Sequence, residues 1–367
     1  MTPAAYSISA SSKLVQRFVE QLSKLWQTRR GLTLFTGLMA LASAFFAVGI
    51  IADSRMVTGV PVWLKPTKFA ISIAIYTLTL AWLLNLVTTD KVWKRRLVII
   101  ASNTILWMLI VEIAVITLQA ARGTTSHFNF STALNGTLFT IMAIAINILW
   151  IANFVIAGIL LFERFASPVI AWSVRLGMTI SIIGMGLGFL MTSPTAQQRA
   201  NWAVGEEISI VGAHTVGTPD GGEGLPFFNW STEGGDLRIG HFIGMHALQI
   251  LPLLGWFLDG RQRRSQPSRP KANRNARRQH QHPSVQKTSV QKTSAKGAVA
   301  LIFIAASYYL AITLLVTWQA LRAQSIIAPD ALTINVFAAL SATALVASYI
   351  ASRLPQRTSG QLLGEHA

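Results

Sequence analysis

Two ionisable residues, one carboxylate and one imidazole, lie inside long apolar runs of the sequence. Glu112 precedes Gln119 by seven residues, and His246 follows Asp236 by ten residues. At the rise of an α-helix, both side chains would lie roughly 10 to 15 Å below the same side of a membrane. A carboxylate inside a span is costly unless it is protonated, paired or exposed to water. We therefore hypothesise that Glu112 and His246 face each other and handle protons.

The chemistry of this pair depends on two opposing effects. Burial opposes the charged forms of both groups, whereas mutual contact favours them, so either outcome could place a titration near neutral pH. Gln249 shares the helix face of His246, and Gln119 shares that of Glu112. A structural alternative is an interhelical hydrogen bond that only fixes the register of the helices.

Further polar residues converge on the same side of the predicted membrane. They leave the first span, enter the second, connect the third to the fourth, or follow the long acidic loop that opens the sixth. We expect them to form the mouth of a ligand-binding pocket lined by Gln119 and Gln249. The predicted mouth consists of Asp53, Arg55, Lys68, His127, Asp236, Arg238 and His241.

Cofactor chemistry is limited by the absence of cysteine, which excludes Cys-ligated metals, iron–sulfur clusters and thiolate nucleophiles. His241 and His246 are five residues apart, so they point about 140° away from each other and do not suit one ion on the same helix. A single haem or metal held by His127 and His241 from separate segments remains open. The alternative for each histidine is a hydrogen-bonding or surface role.

The composition requires a membrane. Of 367 residues, 52% are hydrophobic and only 12% are charged, whereas soluble domains devote about a quarter of their residues to charge. Because a span needs about 20 apolar residues, the sequence predicts an all-α, polytopic bundle of eight helices. The predicted spans are Gly31–Ala52, Pro66–Thr88, Leu97–Gln119, Leu134–Phe162, Pro168–Met191, Ile239–Leu258, Gly297–Gln319 and Ala331–Ser352.

The orientation follows from the 31 Lys and Arg residues, most of which fall on one side of these spans. The positive-inside rule then predicts cytoplasmic N- and C-termini in the plasma membrane. The predicted organisation is a basic amphipathic N-terminal segment (1–30), six spans (31–260) with a large extracytoplasmic loop (192–238), a disordered basic linker (261–296), two spans (297–352) and a cytoplasmic tail (353–367).

The basic segments predict a partner, the anionic inner leaflet of the bilayer. Residues 1–30 have the apolar periodicity of a helix lying on that surface, although a helix packed beneath the bundle would show the same periodicity. The net charge of +17 does not predict binding to nucleic acid. The most basic segment of the chain, residues 261–296, is typical of a cytoplasmic linker that fixes the topology of the spans. Gly184 with Gly188, and Gly240 with Gly244, predict close helix contacts.

Three functions are compatible with these residues. The leading hypothesis is an outward-facing polar pocket that binds a small ligand or a single cofactor and handles protons through Glu112 and His246. A proton-coupled transporter is the second, although the inner halves of the spans contain few ionisable residues. A non-catalytic membrane scaffold that acts through its basic segments is the third.

Overall fold

The structure, a computed structural model, describes residues 15–16, 19–264 and 285–353. Within these residues, eight helices are long and apolar enough to cross a membrane, which confirms the predicted all-α, multi-pass class. Most of the amphipathic N-terminal segment, the middle of the basic linker and the C-terminal tail lie outside the described residues. The orientation of the bundle stays a prediction.

The helices and strands described below are ten helices, α1 to α10, and four very short strands, β1 to β4. The long helices are α1 (Arg30–Ala52), α2 (Leu64–Leu84), α3 (Val92–Ala121), α4 (Ala133–Leu161), α5 (Pro168–Leu187), α8 (Leu237–Arg264), α9 (Val285–Leu321) and α10 (Ala331–Arg353). The short elements are α6 (Phe189–Thr192), α7 (Ala196–Ala203), β1 (Met56–Val57), β2 (Val60–Pro61), β3 (Thr215–Val216) and β4 (Gly235–Asp236).

Several helices extend beyond the apolar runs that predicted them. Helix α3 begins at Val92, five residues before the predicted span, because the intervening Lys and Arg residues are good helix formers. Helices α8 and α9 also extend into both ends of the predicted linker, at residues 261–264 and 285–296, where the sequence contains no proline or glycine. Helix α5 ends earlier than predicted, at Leu187, and α6 follows after Gly188.

The chain divides into two compact units, of which the first comprises Met1–Glu163, Gly188–Arg238 and Ala320–Ile326. In this unit α1 packs against α2, α2 against α3, and α3 against α4. We call the end where α1 and α3 finish, and where α2 and α4 begin, the loop end. The long loop (residues 188–238) is tied to this end by backbone hydrogen bonds between residues 209–211 and 128–130.

The second unit comprises Arg164–Leu187, Ile239–Gln319 and Ile327–Ala367. Its helices cross at glycines, as the glycine spacing predicts. A Cβ atom on Gly244 would lie 2.6 Å from the Cα atom of Gly184, and one on Gly240 would overlap the hydroxyl of Thr317. The absence of side chains at these positions therefore lets α5 and α9 approach α8 at backbone distance.

Candidate functional site

Two lysines near the start of α2 form the centre of a polar cluster at the loop end of the first unit. Lys65 and Lys68 are three residues apart, so they project from the same face of the helix. The Nζ atom of Lys65 lies 3.0 Å from Nδ1 of His127. The ammonium group of Lys68 donates a hydrogen bond to the backbone carbonyl of Phe228 over 3.0 Å. Each ammonium group carries three N–H donors, so each retains donors for another acceptor.

The imidazole of His127 is held in an aromatic setting. Its backbone neighbour Phe128 adopts a positive φ of 62°, an uncommon conformation for a phenylalanine. Because a lysine ammonium can only donate, Nδ1 of His127 is the acceptor, and the ring proton of the neutral imidazole lies on Nε2. The ring centroid lies about 6 Å from those of three phenylalanines, namely Phe69, Phe128 and Phe139.

Glu112 is the buried carboxyl group of the same unit. Glu112 is only 5% exposed, and the positive charge of Lys65 attracts its carboxylate form. In the part of the chain that the structure describes, no hydrogen bond to its carboxyl group and no ion pair within 4.0 Å is found. A buried carboxylate without such partners is costly, so this group either carries a proton or receives a partner that the described residues do not supply.

The cations of the cluster repel one another. Lys65, Lys68 and Arg238 are close enough for each positive charge to act on the other two. Across the described residues, neither lysine has an acidic side chain within 4.0 Å. Glu112 and Asp220 attract Lys65, and Asp236 attracts Lys68, from beyond that distance. An added negative charge next to the lysines would stabilise the arrangement further.

Arg238 differs from the lysines because it has a carboxylate of its own. Asp236 has no exposed side-chain surface and accepts hydrogen bonds from Arg238 Nε at 2.9 Å and Nη2 at 2.5 Å. The backbone N–H of Arg238 also donates to Asp236 over 3.0 Å, so this aspartate caps the N-terminus of α8. A further donor is the backbone N–H of Ser231 at 2.8 Å.

An aromatic turn in the long loop, residues 227–230, is hydrogen-bonded through its backbone carbonyls to two of these cations. The Phe228 and Trp230 rings stack with centroids 4.6 Å apart. Phe227 and Asn229 have positive φ angles of 64° and 53°, which hold the turn in a conformation that costs free energy. The carbonyl of Phe228 accepts from Lys68, and that of Asn229 accepts from Arg238. The turn is therefore fastened by the cluster that it overlies.

Asp53 and Arg55 form a separate ion pair at the end of α1. Asp53 accepts from Arg55 Nη2 at 2.6 Å and from Trp63 Nε1 at 2.8 Å, and these bonds, with that of Arg55 first, hold the pKa of Asp53 well below its usual range. Arg55 also donates to the carbonyl of Ala121 over 2.9 Å. The pair thus ties the ends of α1 and α3 to the start of α2.

Gln119 also has a connecting role. Its amide nitrogen donates to Asn135 over 3.1 Å, and its oxygen accepts from Arg122 at 2.5 Å. The residue is fully buried. These contacts join the end of α3 to the start of α4, so the amide is committed to the protein and has little capacity left for a ligand.

His214 and Asp220 are paired within the long loop. Nδ1 of His214 donates to Asp220 over 3.0 Å, and the backbone N–H groups of His214 and Thr215 donate to the same carboxylate. Burial lowers the pKa of His214. Burial acts to raise the pKa of Asp220, but the hydrogen bonds from His214 and Thr215 outweigh it and hold that pKa well below its usual range. The pair is a neutral imidazole on an ionised carboxylate.

The remaining predicted site residues belong to the second unit. Nδ1 of His246 lies 3.2 Å from Oε1 of Gln249, so the predicted shared face is present. Nδ1 of His241 lies 2.8 Å from the carbonyl of Gly184. Glu112 belongs to the first unit. Its facing of His246 therefore stays a prediction, and the charge that the structure places beside Glu112 within its own unit is Lys65.

The residue that sequence reasoning left out of the site is Lys65. A lysine on the first turn of a span usually extends towards the membrane surface, and nothing in the local sequence marks His127, 62 residues away, as its neighbour. The available signal was its spacing of three from Lys68. Among the described residues, no group of three or more His, Asp or Glu side chains is placed to hold a metal ion.

Comparison with protein-family models, curated proteins and solved structures finds no match to the chain.

Proposed function

We propose that this multi-pass membrane protein binds a small anionic solute at the loop end of its first unit and exchanges a proton with it through Glu112. The observation that carries the proposal is the pair of part-buried lysines, one helical turn apart, with no acidic side chain within 4.0 Å in the described chain. Ammonium groups that have no ion-pair partner can donate charge-assisted hydrogen bonds to the carboxylate or phosphate group of a solute.

Each group in the cluster has a distinct role in this proposal. Lys65 and Lys68 donate to the anion, and His127 holds the Lys65 ammonium in position from the side. Glu112 takes up a proton as the anion's charge approaches, because a like charge in the same buried region favours the protonated form of a carboxyl group. Phe228 and Trp230 offer ring faces to an apolar part of the solute.

The orientation of the site is part of the proposal. The positive-inside rule places the long loop outside the cytoplasm, so the solute would enter from the extracytoplasmic side. Single reporter fusions to the loop and to the C-terminus test this orientation directly. An enzymatic reporter active only in the cytosol, and found active in the long loop, would contradict it.

Binding is tested with the purified protein in lipid nanodiscs and a panel of acetate, benzoate and inorganic phosphate. Titrations would follow tryptophan fluorescence, and a weakly buffered sample would show proton uptake or release on binding. Lys65→Met and Lys68→Met should each weaken binding by roughly tenfold to a hundredfold, because each removes a charged hydrogen bond. Glu112→Gln should retain binding and lose the proton exchange.

Lys91→Met is the matched control, since this lysine is exposed at the opposite end of the same unit. Its affinity for the anions should equal that of the unmodified protein. Affinities unchanged by Lys65→Met and Lys68→Met, or proton exchange that persists in Glu112→Gln, would contradict the proposed roles.

Proton-coupled transport is a second candidate, favoured by a titratable pair at the other end of the first unit. Glu163 is 5% exposed and lies 3.9 Å from Lys94 on α3, the helix that also carries Glu112. Lys94 lies near the start of α3, and Glu112 lies nine residues before its end. These two ionisable groups provide the start of a proton route that the sequence alone did not indicate. Anion-driven pH change inside proteoliposomes should then disappear in Glu112→Gln; a persistent signal would exclude this mechanism.

The two other predicted functions are proposals with separate tests. A single bound haem or metal would give a Soret band or a stoichiometric metal content in the purified protein. A scaffold role would depend on the basic segments, which lie largely outside the described residues. Deletion of residues 265–284 should then change the phenotype while Lys65→Met does not.

A further inference from the structure

A second feature of the first unit, unrelated to the lysine cluster, is an exposed groove along α4. Residues at spacings of three and four line one face of this helix, and they combine small side chains with isoleucines. The small ones are Ala133, Gly136, Thr140 and Ala143, and Ile144, Ile148 and Ile151 lie beside Asn147. The groove has a volume of about 390 Å³ around Ala143 and about 490 Å³ around Gly136, with Phe130 and Thr140 common to both parts.

Asn147 gives this groove its chemical character. It lies at the midpoint of α4, fourteen residues from either end, and therefore about 21 Å along the helix from each. Its side chain is exposed, and one N–H donates to the carbonyl of Ala143 over 2.7 Å. The amide oxygen and the second N–H point to a place where hydrocarbon offers no hydrogen-bond partner, which is costly.

Asn153 on the same helix shows how a buried asparagine is treated in this unit. It is fully buried, accepts a hydrogen bond from the Tyr76 hydroxyl at 2.8 Å, and donates to the carbonyl of Leu149 at 3.0 Å. The unit thus satisfies Asn153 internally and directs Asn147 outward. The contrast indicates that the partner of Asn147 lies outside the first unit.

A second copy of this chain can supply that partner, because of the geometry of a membrane. Copies of one chain insert with the same orientation, so a two-fold axis along the membrane normal brings equal depths together. A carboxamide is both donor and acceptor, and two such groups on an axis satisfy each other. Small residues let the helix backbones approach closely enough for this. A lipid chain would fill the groove without meeting the amide.

We propose that α4 is a dimerisation helix: it packs against α4 of a second copy of this chain, with Asn147 hydrogen-bonded to the partner's Asn147 at the middle of the membrane. The opposing helix approaches most closely at Thr140 and Ala143 and packs against Ile148 and Ile151 on the other side of Asn147.

The cysteine-free sequence allows a direct test by single-cysteine cross-linking of the full chain in native membranes. Ala143→Cys introduces a thiol at the proposed interface. Leu41→Cys is the matched control, because Leu41 is 72% exposed and lies at the midpoint of α1 in the same unit. With copper phenanthroline as oxidant, the disulfide-linked dimer should form at least tenfold faster for Ala143→Cys.

The role of the amide is tested by combining Ala143→Cys with Asn147→Leu. Loss of the interhelical hydrogen bond should reduce cross-linking by roughly fivefold to tenfold. Gel filtration and the unfolding temperature of the double variant establish that it still folds. A second readout is the fraction of single-molecule spots that bleach in two steps after dilution of fluorescent protein into lipid.

Equal cross-linking rates for the two single-cysteine variants, or an unchanged rate with Asn147→Leu, would overturn the proposal. Monomers that retain a bound lipid, or cross-links only to other proteins, would overturn it as well.

Discussion

Replacement of Asp236 by alanine should destabilise the first unit far more than replacement of Asp53, although both residues belong to the same local motif. Each is an aspartate followed two residues later by an arginine. In both motifs Arg Nη2 donates to one carboxylate oxygen (2.6 and 2.5 Å), and Nε and the backbone N–H donate to the other (3.0 to 3.1 and 2.9 to 3.0 Å). The difference lies in exposure: 23% and 47% for Asp53 and Arg55, against 0% and 24% for Asp236 and Arg238.

The magnitude follows from what Asp236→Ala leaves behind. It removes the carboxylate from Arg238 and the acceptor from the backbone N–H of Ser231. Breaking a buried ion pair costs about 3 to 5 kcal/mol. Because the Arg238 side chain is 24% exposed, water reaches part of the guanidinium, and we expect a loss near the lower end, about 3 kcal/mol.

A double-mutant cycle separates the pair from its surroundings. The free energy of unfolding is measured in mixed micelles by tryptophan fluorescence for Asp236→Ala, Arg238→Ala and the double variant. The coupling energy at this buried pair should be about 2 kcal/mol, and the same cycle at Asp53 and Arg55 should give a smaller value because water screens the exposed pair. Additive effects within about 0.5 kcal/mol at Asp236 and Arg238 would refute the reasoning.

Three further predictions concern other parts of the molecule. Gly184→Ala should lower the thermal unfolding temperature because a Cβ would overlap the backbone of α8, whereas Gly37→Ala, where no atom lies within 4 Å, should not lower it; equal midpoints would contradict this. Acidification below about pH 6.5 should increase proteolysis of the long loop, because the pKa of His214 is lowered in the folded loop and the unfolded loop therefore binds more protons. The lowered pKa of Asp220 adds an effect of the same sign below about pH 4. A proteolysis rate that does not depend on pH would argue against this reasoning. Asn229→Gly should leave the unfolding temperature unchanged or raise it, and Asn229→Val should lower it, because a β-branched residue disfavours a positive φ; the reverse order would be inconsistent with the turn.

The membrane helices could be predicted from the sequence because lipid imposes one requirement on every span. A helix in lipid must pair its own backbone hydrogen-bonding groups and present apolar side chains. The apolar runs that end near Leu84 and Leu187 can therefore be recognised without knowing which helices pack against them. The glycine contacts at Gly184 and Gly244 were also predictable, since the spacing of small residues is a local property. Helix ends were less accessible, because the polar residues before Leu97 are compatible with either helix or loop.

The site was harder to predict because its contacts join distant segments. The order of the spans places Lys68 and His127 at the same end of the helices, but only the fold brings Lys65 to His127 and leaves both lysines without an acidic side chain within 4.0 Å among the described residues. The positive φ of Phe128 and the turn at Asn229 depend on loop packing and leave no periodic trace in the sequence. Periodicity identifies a helix face, and the neighbour of that face is set by tertiary structure.

The short connection at 320–326 has a consequence for how the protein is made. It belongs to the first unit, although α9 and α10 on either side belong to the second. Ser325 donates to the carbonyl of Ser231, and a Cβ on Gly235 would lie 2.8 Å from Cα of Ala320. During translation the hairpin of β3 and β4 must therefore wait for two more helices to leave the ribosome. A nascent chain arrested before residue 320 would expose an unfinished loop to quality-control proteases.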